Sequence, residues 1–186
     1  MKGTPRIVIT GFMGAGKTTV ARELSRVLAC DAVDLDEFIT AREGRTPQRL
    51  IDEEGEAAFR EVETLALGDV LASTRARVVA LGGGAWTLER NRRLVAGHGC
   101  LTVWLDAPFD LCWHRVIGDK DEERPFARDL ASARELYDAR HQAYGLAALR
   151  VRVTSERSAA ELAAEVAREA RGIQFRKTGE LRAGDL

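Results

Sequence analysis

The feature that most restricts the fold of this chain is a glycine-rich stretch near its start. Residues 11–18 read Gly-Phe-Met-Gly-Ala-Gly-Lys-Thr and fit the pattern GxxxxGK[ST] at every fixed position. The apolar residues 7–9 precede this stretch, and helix-forming residues follow it. A buried strand, a glycine turn and a helix start are the setting in which this pattern binds phosphate groups.

The chemistry of the pattern follows from its backbone. Glycines let the chain wrap around an anion, so that successive N–H groups and the positive end of the helix face the phosphates. Lys17 adds a mobile charge, and Thr18 offers its hydroxyl to a Mg²⁺ ion that bridges the outer phosphates. The alternative is a glycine turn that binds nothing. We predict a nucleoside triphosphate site formed by Gly14, Ala15, Gly16, Lys17, Thr18 and Thr19.

Composition limits the class of protein. The chain has 186 residues, 45% of them hydrophobic, which suits one domain with a real core. Its 28 basic and 29 acidic residues leave a net charge of -1, so no charge excess favours nucleic acid or a membrane surface as a partner. The three separated cysteines, the absence of a signal-peptide pattern and the lack of a long apolar run predict a cytoplasmic enzyme, which we expect to be monomeric.

Apolar runs and helical segments alternate along the chain. Five buried strands separated by helices imply an α/β fold with a parallel sheet covered on both faces, and ligands in such sheets bind beyond the carboxyl ends of the strands. Strands are predicted at 7–9, 32–36, 78–81, 101–105 and 151–154. Helices are predicted at 17–28, at 37–72 with breaks near Gly44, Pro47 and Gly55, and at 88–96, 109–117, 131–148 and 159–171. One domain then covers 1–171, and 172–186 is expected to be a loose terminus.

Two carboxylates close the second predicted strand. If that strand stops at Leu35, Asp36 begins the next helix while Asp34 keeps its side chain near the phosphate loop. One carboxylate then serves the metal and the other the acceptor hydroxyl. The structural alternative is that Asp36 caps the helix, worth about 1 kcal/mol, and Asp34 is a solvated strand end. Beside a phosphate loop we favour the functional roles; the assignment of Asp34 to the metal, together with Thr18, comes only from the family resemblance described below.

Two further features have both structural and functional interpretations. Arg60 and Glu63 share a helix face, which gives either a surface pair worth about 0.2–0.5 kcal/mol or a guanidinium held for a hydroxylated or carboxylated substrate. The glycines at 82–84 remove three side chains after a buried strand, which permits either close approach of a ligand or a plain flexible turn. Both alternatives remain open at each position.

A polar segment at about 118–130 has nothing to bury. Pro125 biases Arg124 toward an extended backbone, so the segment is either a solvated loop or a mobile lid that delivers a cation to the transferring phosphoryl group. Arg140, on the following helix, is by itself an ordinary exposed arginine. Asp106 is a weaker candidate for the metal ligand, and His98, His114 and His141 lie near no cluster with metal-ligand spacing.

Taken together, these residues resemble the shikimate kinase family over about residues 7–171. The phosphate loop is shared by many NTPases, whereas the ordered series after it is far more specific. That series consists of Asp34-Leu35-Asp36, the GE..FR..E pattern at 55–63, Gly82-Gly83-Gly84, Arg124-Pro125, and Arg140 followed by Tyr144.

The resemblance implies a nucleoside monophosphate kinase-like fold with five parallel strands in the order 2-3-1-4-5, a helical substrate-binding region at 37–72 and a lid at 118–130. It implies ATP-dependent phosphorylation of the 3-hydroxyl of shikimate. Asp36 would contact the ring hydroxyls as the candidate base, and Asp34 would reach Mg²⁺ through water. Lys17 and Arg124 would meet the phosphates, and Arg115 would stack on adenine. The remaining acceptor-binding positions would be Arg60, Glu63, Gly82, Gly83 and Arg140.

The chain also departs from the family pattern. Phe126 and Ala127 follow Arg124-Pro125 where the family has Pro-Leu-Leu, and Trp86 is unusual after the glycines. Rival hypotheses are a gluconate-type or nucleotide kinase on the same fold, and a nucleotide-dependent regulatory module without catalysis.

Overall fold

A five-stranded parallel sheet forms the centre of the molecule. The computed structural model describes residues 5–73, 76–118 and 129–183. The strands are β1 (Ile7–Thr10), β2 (Asp31–Asp34), β3 (Ala76–Ala80), β4 (Leu101–Asp106) and β5 (Leu149–Arg152). They are arranged in the order β2-β3-β1-β4-β5, and every neighbouring pair is parallel. This confirms the predicted fold class and strand order.

Helices cover both faces of the sheet. All four residues of β1 are fully buried, as a central strand with helices on both sides requires. A short 3-10 helix, Ala85–Thr87, follows β3. The α-helices in the described parts of the chain are α1 (Lys17–Leu28), α2 (Leu35–Glu43), α3 (Pro47–Glu54), α4 (Glu56–Ala72), α5 (Glu89–Gly97), α6 (Phe109–Gly118), α7 (Leu130–Tyr144) and α8 (Ala159–Ala183). No described helix is both long and apolar enough to cross a bilayer.

The register of the central strands places the functional segments side by side. Ile9 of β1 lies opposite Ala80 of β3 on one side and Val103 of β4 on the other. The N–H of Leu81 continues the pairing by donating to the carbonyl of Ile9 at 2.9 Å. The glycine-rich stretch after β1 and the three glycines after β3 therefore leave the sheet at the same edge.

The helical region between β2 and β3 breaks where its sequence predicts. Gly44 ends α2 with a left-handed φ of 65°, a conformation that glycine adopts without a side-chain clash. Thr46 then caps α3 by accepting from the N–H of Arg49, and Pro47 takes the first helical position. Gly55, with φ of 89°, separates α3 from α4.

Several predicted boundaries were wrong. β2 ends at Asp34, because the chain turns into a helix there instead of remaining extended to 36. β5 covers Leu149–Arg152 in place of 151–154, and α7 ends at Tyr144. The helix predicted at 159–171 continues to Ala183.

Candidate active site

The glycine-rich stretch forms a tight loop at the start of α1. Gly14 and Gly16 have φ values of 73° and 90°, so both adopt the left-handed conformation that side chains disfavour. Lys17 begins α1, and its Nζ donates to the carbonyl of Phe12 at 3.0 Å. The first N–H groups of α1 have no acceptor within the helix, so the loop and the helix end form an anion-binding cradle.

Helix α6 packs directly against this loop. A Cβ atom built on Gly14 would overlap the backbone carbonyl oxygen of Cys112, so only a glycine fits at this position. The NH1 group of Arg115 donates to the carbonyl of Gly14 at 3.1 Å. Arg115 is therefore placed beside the loop by a backbone contact, at the position where the resemblance expects an adenine-stacking residue.

Asp34 joins the phosphate loop to α2. Its Oδ2 accepts the hydroxyl hydrogen of Thr18 at 2.5 Å, and its Oδ1 accepts from the N–H of Asp36 at 2.9 Å and of Glu37 at 3.4 Å. Asp34 is thus the N-cap of α2, and Asp36 lies in the first turn. The alternative in which Asp36 caps the helix is wrong, because the strand ends two residues earlier than predicted.

Asp36 and Glu63 meet at Gly82. A Cβ atom built on Gly82 would lie 2.7 Å from Oδ1 of Asp36 and 2.9 Å from Oε1 of Glu63. Both carboxylates therefore lie against the backbone of the glycine turn. Within the described residues, Oε1 of Glu63 is buried and accepts no hydrogen bond. A side chain at position 82 would have to displace these carboxylates, and the approach of a ligand to this turn stays a prediction.

Arg60 lies between two glutamates of its own helix. Its NH1 group donates to Oε2 of Glu63 at 2.8 Å, and its NH2 group donates to Oε1 of Glu56 at 3.0 Å. The Arg60 and Glu63 side chains are only 11% and 1% exposed, so this is a buried pair and not the surface pair of the structural alternative. A Cβ atom on Gly84 would lie 2.6 Å from Cζ of Arg60, so the guanidinium packs directly on that glycine.

Burial and charge act against each other in this pair. Burial raises the pKa of Glu63 above its ordinary value, and the charge and hydrogen bond of Arg60 partly oppose that rise. Burial also disfavours the charged form of Arg60, but Glu63 and Glu56 outweigh it and leave the pKa of Arg60 raised. Arg60 therefore keeps its positive charge in the buried site.

Arg140 reaches the same turn from α7. Only 7% of Arg140 is exposed, so its description as an ordinary exposed arginine was wrong. Burial lowers the pKa of Arg140, an effect that Tyr144 partly opposes and nearby Arg60 reinforces. Two guanidinium groups therefore share a poorly solvated region, where an anionic ligand would be favoured.

Gly83 links this cluster to the phosphate loop. A Cβ atom built on Gly83 would lie 3.5 Å from the backbone nitrogen of Met13 and 3.6 Å from NH1 of Arg140. Asp36, Glu63, Arg60 and Arg140 thus surround one glycine turn, and that turn touches the loop containing Lys17. We call these four residues with Gly82–Gly84 the acceptor cluster.

Other predicted residues have different positions. Asp106 accepts from Nε and NH2 of Arg150 at 2.8 and 2.5 Å. The carboxylate that accepts the Thr18 hydroxyl hydrogen is that of Asp34 and not that of Asp106. His98 and His141 lie in no group of metal-binding side chains among the described residues. Arg124 and most of the predicted lid at 118–130 lie outside the described residues. Ala15 and Thr19 lie in the loop and in the first turn of α1.

Comparison with known proteins identifies the family. A model of the family described as "Shikimate kinase" matches residues 13–171, which is most of the chain. The chain belongs to the shikimate kinase family.

Individual shikimate kinases agree with this assignment. The chain is 33% identical over 162 residues to one from Geobacillus thermodenitrificans, a match that covers 86% of this chain and 85% of that protein. It is 46% identical over 124 residues to one from Salinibacter ruber, covering 67% of this chain and 59% of that protein. A solved shikimate kinase from Acinetobacter baumannii, in complex with shikimate, has 30% identity and a TM-score of 0.83, covering 92% of this chain and 95% of that one.

The sequence of this shikimate kinase family member predicted no contacts for Glu56, Tyr144 or Trp86, although the motifs in which they lie were named. Glu56 pairs with Arg60 four residues later, and that i,i+4 spacing was a usable signal. Tyr144 donates its hydroxyl to the carbonyl of Gly83 at 2.6 Å. Trp86 donates its indole N–H to the carbonyl of Ala143 at 3.0 Å, a contact between distant segments that no local pattern predicts.

Proposed function

We propose that this chain transfers the γ-phosphoryl group of ATP to the 3-hydroxyl of shikimate, giving shikimate 3-phosphate and ADP. The observation that carries the proposal is the position of Gly83 between the phosphate loop at Met13 and the guanidinium of Arg140. A small acidic polyol bound to the acceptor cluster would have a hydroxyl beside the last phosphate of a nucleotide held by the loop.

The acceptor cluster suits shikimate in charge and in shape. Arg60 and Arg140 offer fixed donors for a carboxylate, and a bound carboxylate would offset the burial of Arg140, which lowers its pKa. Glu63 holds Arg60 in orientation through their 2.8 Å hydrogen bond. Because Gly82 and Gly83 carry no side chains, a flat ring can lie against their backbone.

Asp36 is the residue that we assign to the reacting hydroxyl. It lies against Gly82 in the first turn of α2, and its N–H donates to Asp34, the carboxylate that accepts from Thr18 of the phosphate loop. In this role Asp36 orients the hydroxyl for in-line attack and accepts its proton. Lys17 and the loop N–H groups stabilise the negative charge that spreads over the transferring group.

The oxygen donors at Thr18 and Asp34 suit Mg²⁺. This ion prefers oxygen ligands and usually retains several waters, so one hydroxyl and one carboxylate beside a triphosphate are a sufficient protein contribution. In this proposal Thr18 would hold the ion directly and Asp34 through water, and the bound ion would neutralise phosphate charge. Arg115 would stack on adenine, and Arg124 would act on the phosphates from the lid.

A panel assay tests the proposed acceptor. The protein is incubated with ATP and Mg²⁺ together with shikimate, gluconate or a nucleoside monophosphate, and ADP release is measured. We expect release that depends on shikimate. Turnover with gluconate or a nucleotide in place of shikimate would support the rival kinases, and absence of turnover with every acceptor would support a regulatory module.

Substitution of Asp36 tests its assigned role. Asp36→Ala should abolish shikimate-dependent turnover while ATP binding, measured by calorimetry, is preserved. Glu37→Ala is a matched control, because Glu37 lies on the same turn of α2 and is exposed. Retained turnover in Asp36→Ala would remove this residue from the mechanism.

A further inference from the structure

We propose that Trp86 is a positioning residue for acceptor binding, which holds the end of α7 and thereby Arg140. The inference rests on the proposed function, in which Arg140 binds the acceptor carboxylate.

Two hydrogen bonds cross between the glycine turn and the last turn of α7. The indole N–H of Trp86 donates to the carbonyl of Ala143 at 3.0 Å, and the hydroxyl of Tyr144 donates to the carbonyl of Gly83 at 2.6 Å. We call this pair of bonds the α7 clamp.

The clamp acts where a helix is weakest. The last carbonyl groups of an α-helix have no N–H partner four residues later, so the final turn frays most easily. Ala143 lies in that turn of α7, and its carbonyl accepts from the N–H of Leu146 at 3.1 Å as well as from Trp86. Arg140 precedes Ala143 by three residues and lies on the same turn.

Trp86 is itself held on a rigid support. It lies in the short 3-10 helix Ala85–Thr87, and two side chains of α5 bind the backbone of that helix. Asn91 donates to the carbonyl of Ala85 at 2.9 Å, and Arg92 donates to the carbonyls of Trp86 and Thr87 at 2.8 and 2.7 Å. Trp86 is 3% exposed, so its ring is fixed by packing as well.

The contact depends on the indole N–H at position 86, which donates to the carbonyl of Ala143. If the side chain at position 86 had no N–H, only the bond donated by Tyr144 would remain. The inference is therefore that the indole bond of Trp86, together with the bond from Tyr144, holds Arg140 at the glycine turn.

The test compares Trp86→Phe with the unaltered chain. The substitution keeps an aromatic ring and removes the N–H. We expect a rise of about fivefold in KM for the acceptor, the fold-change that corresponds to one hydrogen bond. The value of kcat and the KM for ATP should not change, because Arg140 binds the carboxylate equally in the ground state and the transition state. Trp113→Phe on α6 is the matched control and should leave all three constants unchanged.

Hydrogen exchange gives an independent readout on the full-length protein without ligands. Amides in the last turn of α7 should exchange faster in Trp86→Phe than in the unaltered chain, and Tyr144→Phe, a second variant that removes the other bond, should have the same effect. Unchanged exchange in Trp86→Phe would overturn the clamp. Faster exchange with an unchanged acceptor KM, or equal changes in kcat and both KM values, would overturn the positioning role.

The two hypotheses fail differently. If the unaltered chain phosphorylates no acceptor of the panel, the proposed function fails, and the exchange measurement still decides whether Trp86 anchors α7. If shikimate is phosphorylated with the same KM by the unaltered chain and by Trp86→Phe, the positioning role of Trp86 fails and the proposed function stands.

Discussion

The carboxylate of Asp34 accepts the hydroxyl hydrogen of Thr18 at 2.5 Å while it caps α2. The side chain of Asp34 therefore connects the phosphate loop, which follows β1, to α2, the helix that carries Asp36. The proposed nucleotide and acceptor halves of the site meet through this carboxylate. Its structural and functional contributions are separable by substitution.

Asp34→Ser should keep the helix cap and lose the carboxylate. Serine caps helices about as well as aspartate, so the free energy of unfolding should remain close to that of the unaltered chain, whereas Asp34→Ala should lose about 1 kcal/mol. Both variants should reduce turnover by about 10- to 100-fold, the range for a residue that supports a metal site from its outer shell. Urea unfolding and ADP release measure the two effects. Equal stability losses in both variants would contradict the capping role.

Gly84→Ala should weaken acceptor binding by displacing Arg60. The added methyl group would lie 2.6 Å from Cζ of Arg60, so the guanidinium has to move. Loss of one hydrogen bond to a charged group corresponds to an increase of about 10- to 100-fold in the acceptor KM, with the KM for ATP unchanged.

Gly68→Ala is the matched control for that experiment. No atom would lie within 4 Å of its added Cβ, and Gly68 is in the interior of α4. Activity should be unchanged, and stability should rise by about 0.5–1 kcal/mol because alanine favours a helix. An unchanged acceptor KM in Gly84→Ala would show that Arg60 is not needed in its observed position.

Glu63→Ala should be strongly destabilising. Glu63 is 1% exposed and pairs with buried Arg60, and removal of one partner of such a pair costs about 3–5 kcal/mol. Glu61→Ala on the same helix is the control. Glu61 is 65% exposed and pairs with Arg90 at the surface, so its loss should cost less than about 1 kcal/mol. Urea unfolding of both variants measures the difference, and similar values would contradict a buried, structural pair.

The stability contributed by Tyr144 should disappear in strong alkali. Burial raises the pKa of Tyr144 from 10.0 to about 12, an effect that Arg140 partly opposes. The unfolded chain then releases this proton before the folded chain does. The contribution of Tyr144 is therefore complete below pH 10.0 and is lost as the pH rises to about 12.

Tyr144→Phe tests this expectation. At pH 8 the variant should be less stable than the unaltered chain by about 1 kcal/mol, because it lacks the hydrogen bond to Gly83. That difference should shrink as the pH approaches 12. Thermal unfolding at several pH values measures it, and a difference that stays constant with pH would mean that the phenol is not buried in the folded state.

Local sequence determined the framework of this protein. The pattern at residues 11–18 predicted a glycine turn between the strand before it and the helix after it. This prediction was possible because the pattern depends only on local backbone conformation and on the helix that follows. The breaks at Gly44, Pro47 and Gly55 were predicted from turn and capping chemistry, which acts over a few residues. Alternation of apolar strands with helices was enough to predict a parallel sheet, whereas the order of its strands came from the family resemblance.

Tertiary structure decided what local sequence left open. Without the family resemblance, the sequence predicted that Arg140 is an ordinary exposed arginine. Only the packing of α7 against the glycine turn buries its side chain. The sequence offered only Asp36 as the cap of α2, whereas Asp34 caps it because β2 stops pairing with β3 at Asp34. The Trp86 bond to Ala143 joins segments 57 residues apart. Contacts of this kind depend on how whole elements pack, so no short window of the chain contains the information that specifies them.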